Sequence, residues 1–190
     1  MTSNYYSEGG HEKENRAPIR ENVLFQGAGD RVALTAESIT DTALDILSRY
    51  GLGDLSMRRL ARELAVQPSA LYWHVESKQA LLLLLAARMS SEVNLRCPAG
   101  SDARMTALAL REVMLGYRDG AEIMLLGYSL DERKITPHAL GPDYLGVPRS
   151  AALITFVLGS VAVEQNRRLL GQTIEDDGSS FSLGVTALLA

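Results

Sequence analysis

The stretch LSMRRLARELAVQPSALYWHVESKQALL, residues 55–82, decides the fold of this chain. Ser56 can cap a short helix from Met57 to Leu64, and Pro68 suits the first position of a second helix that ends near His74. Three residues separate the two helices. This spacing is typical of a helix-turn-helix, whose second helix enters the major groove of DNA.

Helices are predicted on both sides of this motif. Before it, apolar residues recur at helical spacing between Thr35, which can cap the start, and Gly51, which can adopt the left-handed conformation after the end. After it, Ser77 can cap a helix from Lys78 to Asn94 that is apolar nearly all round. We therefore predict a DNA-binding domain over residues 30–79 and a fourth helix that leads into a second domain.

The second domain is predicted to cover residues 80–190 and to be helical as well. Helical periodicity is found over residues 102–117, 121–126, 150–170 and 181–190. Little regular helix is expected over residues 127–148, because glycine and proline interrupt that stretch repeatedly.

The first 29 residues are predicted to be a disordered tail. They are polar, contain several glycines and lack apolar periodicity. Within them the sequence ENVLFQG, residues 21–27, looks like a viral-protease cleavage site of the kind that expression vectors add. We therefore leave residues 1–29 out of the fold.

The composition predicts an all-α globular protein. The chain has 190 residues, of which 46% are hydrophobic and 22% are charged, values close to globular averages. Leu, Ala, Arg and Glu dominate while β-branched runs are sparse, which favours helix over sheet. The net charge of −4 argues against wholesale coating of nucleic acid. Residues 56–78 nevertheless carry four basic against two acidic side chains, so we expect a modest, salt-sensitive phosphate-binding patch.

Cysteine usage and hydropathy favour the cytoplasm. Cys97 is the single cysteine and the three histidines are scattered, which excludes an intrachain disulfide and a Cys/His zinc site. The longest uncharged stretch of the second half, Ser150 to Val163, has 14 residues, whereas a membrane-spanning helix needs ~20. Neither a secretion signal nor an enzyme motif is found. We expect a cytoplasmic protein that is not an enzyme and does not bind a membrane.

The docking geometry of a helix-turn-helix assigns roles to individual side chains. Gln67, Ser69 and Ala70, in the first turn of the second helix, are expected to face bases. The expected DNA-binding residues are Ser56, Arg58, Arg59, Gln67, Ser69, Ala70, Tyr72, Trp73, His74 and Lys78. The alternative is an ordinary helical hairpin whose arginines form a solvated face.

Residues 55–82 closely resemble the DNA-binding domain of the TetR family of bacterial repressors. The string LYWHV, residues 71–75, followed by Lys78 and two leucines, resembles the tetracycline-repressor branch in particular. Weaker likeness continues in YRDGA at 117–121, in FVLGSVAVEQ at 156–165 and in FSLG at 181–184. The resemblance implies a homodimer in which the last two long helices of each subunit form a four-helix interface, and a second domain that binds a small molecule.

The resemblance also implies pocket residues, and several of them depart from the branch. The position of a metal-binding histidine is taken by Met124, another pocket histidine by Asn94, and a polar drug-contacting position by Thr106, while Glu164 is retained. A thioether is a poor ligand for a hard cation, so we expect no metal and no cofactor, and a more apolar or mixed effector. The expected ligand-binding residues are Asn94, Thr106, Leu110, Val113, Met114, Met124, Phe156 and Glu164. The alternative is that these apolar side chains are plain core.

Two functional hypotheses follow. The first is a homodimeric transcriptional repressor that binds a palindromic operator in double-stranded DNA and is released by a small molecule. The second is a TetR-like dimeric interaction protein with a degenerate pocket that does not respond to ligand. Salt-dependent, sequence-selective DNA binding discriminates between them.

Overall fold

The computed structural model describes residues 33–173 and 178–190, and the predicted tail at residues 1–29 lies outside them. All regular structure in these ranges is helical, which confirms the all-α fold class. The α-helices are α1 (Ala36–Tyr50), α2 (Met57–Glu63), α3 (Pro68–Tyr72), α4 (Lys78–Arg96), α5 (Ala103–Gly116), α6 (Gly120–Leu130), α7 (Glu132–Ile135), α8 (Pro142–Leu145), α9 (Val147–Leu169) and α10 (Ser179–Leu189). Short 3-10 helices occur at Leu52–Asp54 and His138–Leu140.

The residues that were predicted to cap or begin helices do so in the structure. The Thr35 hydroxyl accepts a hydrogen bond from the Ser38 N–H in a reciprocal capping box, and the Ser56 and Ser77 hydroxyls accept the corresponding bonds at the starts of α2 and α4. Pro68 stands in the first turn of α3, where its missing N–H costs nothing. Gly51 ends α1 with a φ of 83°, a conformation that side chains with a Cβ rarely adopt.

The first four helices pack around a common apolar core. α1 lies against α2 and α4, and α2 lies against α3. Leu47, Leu60, Leu71 and Val75 are all buried in that core. Because Leu71 and Val75 point inwards, the rest of the α3 region is left facing solvent. The predicted domain boundary between residues 79 and 80 stays a prediction, since Ala33–Ala190 form one compact unit.

The remaining helices are layered on α4 and α9. α4 packs against α5 and α6, and α9 packs against α5, α6, α8 and α10. α6 runs to Leu130, so the predicted end at residue 126 is wrong. The reason is packing: a Cβ on Gly127 would lie 2.3 Å from the Ala86 Cβ, so this glycine lets α4 and α6 approach closely instead of breaking the helix. Residues 131–146 also contain more helix than predicted, as α7, α8 and a 3-10 turn.

One described helix is long and apolar enough to cross a membrane. α9 has 23 residues, and an 18-residue window in it has a mean hydropathy of 1.4, so by hydropathy the apolar span is longer than the 14 uncharged residues from Ser150 to Val163. The core helix of a soluble protein meets the same criterion. In this chain 33% of that window is buried, including Leu153, Val157 and Val161, which pack against the neighbouring helices.

Candidate functional site

The α3 region presents polar and aromatic side chains on its outer side. Gln67, Ser69, Tyr72, Trp73 and His74 are exposed, and Ala70 is half-buried. Trp73 is 81% exposed, a large fraction for a side chain that proteins ordinarily bury in great part. The surface therefore combines hydrogen-bonding groups with apolar rings on a short, anchored helix.

The basic residues around α3 fall into two groups. Arg58 and Lys78 are exposed, on α2 and at the first turn of α4. Arg59 is instead held within the chain, because one of its terminal nitrogens lies 2.8 Å from an Asp54 carboxylate oxygen and its Cζ lies 3.7 Å from the centre of the Tyr50 ring. Its Nε is buried without an acceptor among the described residues. The predicted DNA contact of Arg59 stays a prediction, and in this structure its visible role is to brace α2.

A turn between α5 and α6 connects the helix-turn-helix region to the rest of the molecule. An Asp119 carboxylate oxygen accepts a hydrogen bond of 2.7 Å from the Leu52 N–H. Asp119 has a φ of 56°, and the following residue must be glycine because a Cβ on Gly120 would lie 2.3 Å from the Met114 carbonyl oxygen. The turn is thus fixed in a conformation that few sequences tolerate.

The same turn is bound from its other side by α9. The Gln165 Oε1 accepts a 2.9 Å hydrogen bond from the Ala121 N–H, while its Nε2 donates to the carbonyl oxygens of Met114 at 3.1 Å and Tyr117 at 2.9 Å. Asp119 and Gln165 stand in strings that resemble the TetR family, but the sequence alone assigns them no role. Only long-range contacts show that they join three parts of the fold.

Most of the predicted ligand-binding residues are packed in the core. The side chains of five of them are buried and line neither of the two clefts described below: Thr106, Leu110, Val113, Met114 and Met124. Asn94 is half-buried, and its Oδ1 accepts a 3.1 Å hydrogen bond from the His138 N–H. Within the described residues, the burial of these five side chains favours the alternative that they are plain core.

The other two predicted ligand residues do meet at a cleft. Phe156 and Glu164 line a depression of about 180 Å³ between α5, α9 and α10, together with Arg111 and Phe181. We call it the α9–α10 cleft. One Arg111 nitrogen lies 2.8 Å from a Glu164 carboxylate oxygen, and both side chains are largely buried. The rings of Phe156 and Phe181 are stacked with centroids 5.7 Å apart.

A second cleft, of about 230 Å³, lies beside the α5–α6 turn. Its walls include Tyr117, Arg118, Asp119 and Gln165. Nearby, the Tyr117 hydroxyl donates a 3.0 Å hydrogen bond to a Glu92 carboxylate oxygen. Burial and the adjacent Glu92 carboxylate raise the pKa of Tyr117 above its ordinary value of 10.0, because both disfavour the phenolate.

Metal-binding side chains do not converge in the described part of the chain. Within residues 33–173 and 178–190, no group of three His, Cys, Asp or Glu side chains could hold a metal ion. The candidate functional regions are thus two: the exposed helix-turn-helix surface, and the α9–α10 cleft, which is lined by arginine, glutamate and phenylalanine side chains.

Comparisons with known proteins agree with this geometry. Residues 39–85 match the family described as bacterial regulatory proteins, tetR family. The tetracycline repressor protein class D of Escherichia coli is 36% identical over 107 residues, which cover 53% of this chain and 49% of that protein. The chain thus spans about half the length of the curated repressors it matches.

Solved structures extend the likeness over the second half. The crystal structure of BioQ with its natural double-stranded DNA operator has a TM-score of 0.66 and 29% identity, and the match covers 83% of this chain and 99% of BioQ. A single-residue variant of TetR from Acinetobacter baumannii AYE, in complex with minocycline, has a TM-score of 0.65 and 31% identity, over 82% of this chain and 94% of that one. Helix order, helix-turn-helix geometry and these matches agree, and the chain belongs to the TetR family of transcriptional regulators, of the tetracycline-repressor type.

Proposed function

We propose that the protein is a homodimeric repressor that binds a palindromic operator and leaves it when a small molecule binds. The observation that carries the DNA-binding part is the α3 surface, where Leu71 and Val75 anchor the helix and the intervening side chains stand free. BioQ, which has the same fold, is described in complex with its DNA operator. A dimer would set two α3 helices ~34–36 Å apart, which matches successive major grooves.

Individual contacts follow from exposure. The first turn of α3, with Gln67, Ser69 and Ala70, faces base edges, whereas Tyr72, Trp73 and His74 lie towards the phosphates. Ser56, Arg58 and Lys78, from the start of α2 and the start of α4, contact the phosphate backbone of the DNA. Arg59 supports this surface indirectly, by holding α2 against Tyr50 and Asp54.

Dimerisation uses the outer faces of α9 and α10. Apolar side chains remain exposed there in the single chain, with exposed fractions of 52% for Val163 and 72% for Leu183. Burying such residues against the same helices of a second copy gives a two-fold symmetric four-helix interface. A cytoplasmic location fits a protein that works on DNA.

The experiment is fluorescence anisotropy with the DNA upstream of the gene, across a salt series. We expect selective binding, with a log–log salt slope of about −3.6 if Arg58 and Lys78 of both subunits each neutralise one phosphate. The double variant Tyr72→Ala with Lys78→Ala should weaken binding at least about tenfold, or 1.4 kcal/mol. The matched control is Tyr144→Ala with Lys134→Ala, an exposed tyrosine and lysine distant in sequence from α3. Equal losses in both variants would contradict the assigned surface.

A second candidate is a TetR-like interaction protein that does not respond to ligand. The packing of Leu110, Val113, Met114 and Met124 in the core favours it, because these side chains are buried against their neighbours and line neither of the two clefts. Selective binding to the upstream DNA would exclude it. Weak binding without sequence selectivity would support it.

A further inference from the structure

Gln67 presents an exposed side-chain amide directly in front of α3. The amide makes no capping hydrogen bond to α3, whereas the Ser56 and Ser77 hydroxyls cap α2 and α4. A glutamine amide carries a donor and an acceptor side by side. Gln67 therefore offers a paired donor and acceptor to a partner outside the chain.

The other side chains of the α3 region lack the groups that read G·C pairs. The sequence from Gln67 to Val75 contains no arginine, lysine, aspartate or glutamate. Arginine and lysine are the usual readers of guanine, and acidic side chains accept from the amino group of cytosine. Ser69, Tyr72 and His74 each present a single polar group to any one base edge. The α3 region is thus suited to A·T pairs.

An amide matches the edge that adenine shows in the major groove. Adenine presents an acceptor, N7, beside a donor, the N6 amino group, so an amide donates to the first and accepts from the second. Guanine presents two acceptors there and satisfies only the donor of the amide. Ser69 and Ala70, which follow in the first turn of α3, are short, so the helix backbone can approach the base edges to within reach of a glutamine.

The geometry points to Gln67 as the residue that selects an adenine at one position in each half of the operator. The Gln67 Nε2 donates to adenine N7, and its Oε1 accepts from the N6 amino group. A good bidentate contact of this kind discriminates against the wrong base by at least about fivefold. The inference rests on the proposed DNA-binding function and adds the base that α3 recognises.

The first experiment selects binding sites from a pool of random-sequence double-stranded DNA. We expect the half-sites selected by the parent protein to share an adenine that Gln67→Ala no longer selects, while their other fixed bases stay the same. The control Gln79→Ala removes an exposed glutamine of α4 and should keep the adenine. Selection of guanine at the position that depends on Gln67 would overturn the inference. Selection of the same sequence by the parent and Gln67→Ala would overturn it as well.

The second experiment changes one atom of the selected adenine and measures binding by fluorescence anisotropy. 7-Deazaadenine lacks the N7 acceptor but still pairs with thymine. It should weaken binding of the parent and of Gln79→Ala by at least about threefold, the effect of one lost hydrogen bond. Gln67→Ala should bind the two duplexes equally. An equal loss in the parent and Gln67→Ala would assign N7 to another side chain and contradict the inference.

The variant Gln67→Arg distinguishes base reading from a structural role. Arginine presents two donors at the same exposed position, so the selected base should change from adenine to guanine. A merely structural role of Gln67 predicts weaker binding to every sequence without a change of preferred base. That result would contradict the inference.

The selection separates this inference from the proposed function. If the parent protein selects no sequence from the pool, both the operator-binding repressor and the role of Gln67 fail. If it selects a sequence in which no base depends on Gln67, operator binding stands and only the role of Gln67 is overturned.

Discussion

The α3 surface is predicted to bind DNA, and the interior between α5 and α6 is predicted to bind an effector. The two regions differ in how far their side chains are exposed to solvent. Around α3 most of the side chains that are expected to contact DNA are exposed, with Trp73 at 81%, whereas Arg59 and Ala70 are half-buried. In the interior, Leu110, Met114 and Met124 are at most 1% exposed and packed against their neighbours. An exposed polar and aromatic row is available for contact in the free protein, whereas a buried apolar stripe becomes a binding site only if a void lies beside it.

The largest expected effect is a loss of folding stability on truncation of Leu110, and its size distinguishes a packed core from a pocket. Because Leu110 is buried in the core, Leu110→Ala should lower the free energy of unfolding by about 2–5 kcal/mol, measured by urea denaturation. Leu95→Ala, at a position that is 85% exposed, is the control and should change it by less than about 0.5 kcal/mol. A small loss at Leu110 would mean that a void already lies there, and the comparison would fail.

The next effect tests the outer face of α10. Leu183 is 72% exposed in the single chain, so Leu183→Glu should leave the fold intact while placing a charge in the proposed dimer interface. We expect the dimer dissociation constant, measured by analytical ultracentrifugation, to rise at least about tenfold. An unchanged sedimentation coefficient would mean that α10 lies outside the interface.

A smaller effect is expected at the connection between the two regions. Gln165→Leu removes three hydrogen bonds to the α5–α6 turn and leaves backbone groups of that turn unpaired. The free energy of unfolding should fall by about 1–3 kcal/mol. Asn166→Leu, at the next and exposed position of α9, is the matched control and should have little effect in thermal denaturation.

The smallest effect concerns the Tyr117 hydroxyl. Burial and Glu92 raise its pKa above 10.0, so folding favours the protonated phenol. The resulting stability is present below the unfolded-state pKa of about 10 and is lost as pH rises through the folded-state value. Tyr117→Phe should therefore be less stable than the parent near neutrality by about 0.5–1.5 kcal/mol, and the difference should shrink above pH ~10. A pH-independent difference in thermal unfolding would contradict this.

Much of the fold could be predicted from local signals. Caps such as Thr35, Ser56 and Ser77 act within one helical turn, so their effect is visible in a short window of sequence. Gly127 shows the limit: locally it reads as a break, yet its close contact with Ala86 comes from a distant helix. Whether such a glycine breaks a helix depends on contacts between residues far apart in the chain. A short window of sequence does not contain those contacts.

The same limit applies to the candidate sites. The exposed face of α3 followed from its length and spacing, because two buried anchors fix which side faces out. Arg59 looked equivalent to Arg58 until the position of Tyr50 and Asp54 was known. Arg111 gave no signal in the sequence, because its ion pair with Glu164 and its contact with the Phe181 ring join α5 to the distant helices α9 and α10.

The anchoring of α3 by Leu71 and Val75 has a practical consequence for retargeting. Positions 67, 69 and 72 are exposed and contribute little to the core, so a combinatorial library that randomises them should consist mostly of folded members. On the proposed function, such a library could be selected directly for new operator sequences. The scaffold would need no compensating changes, because the residues proposed to contact the DNA are separate from those that anchor the helix.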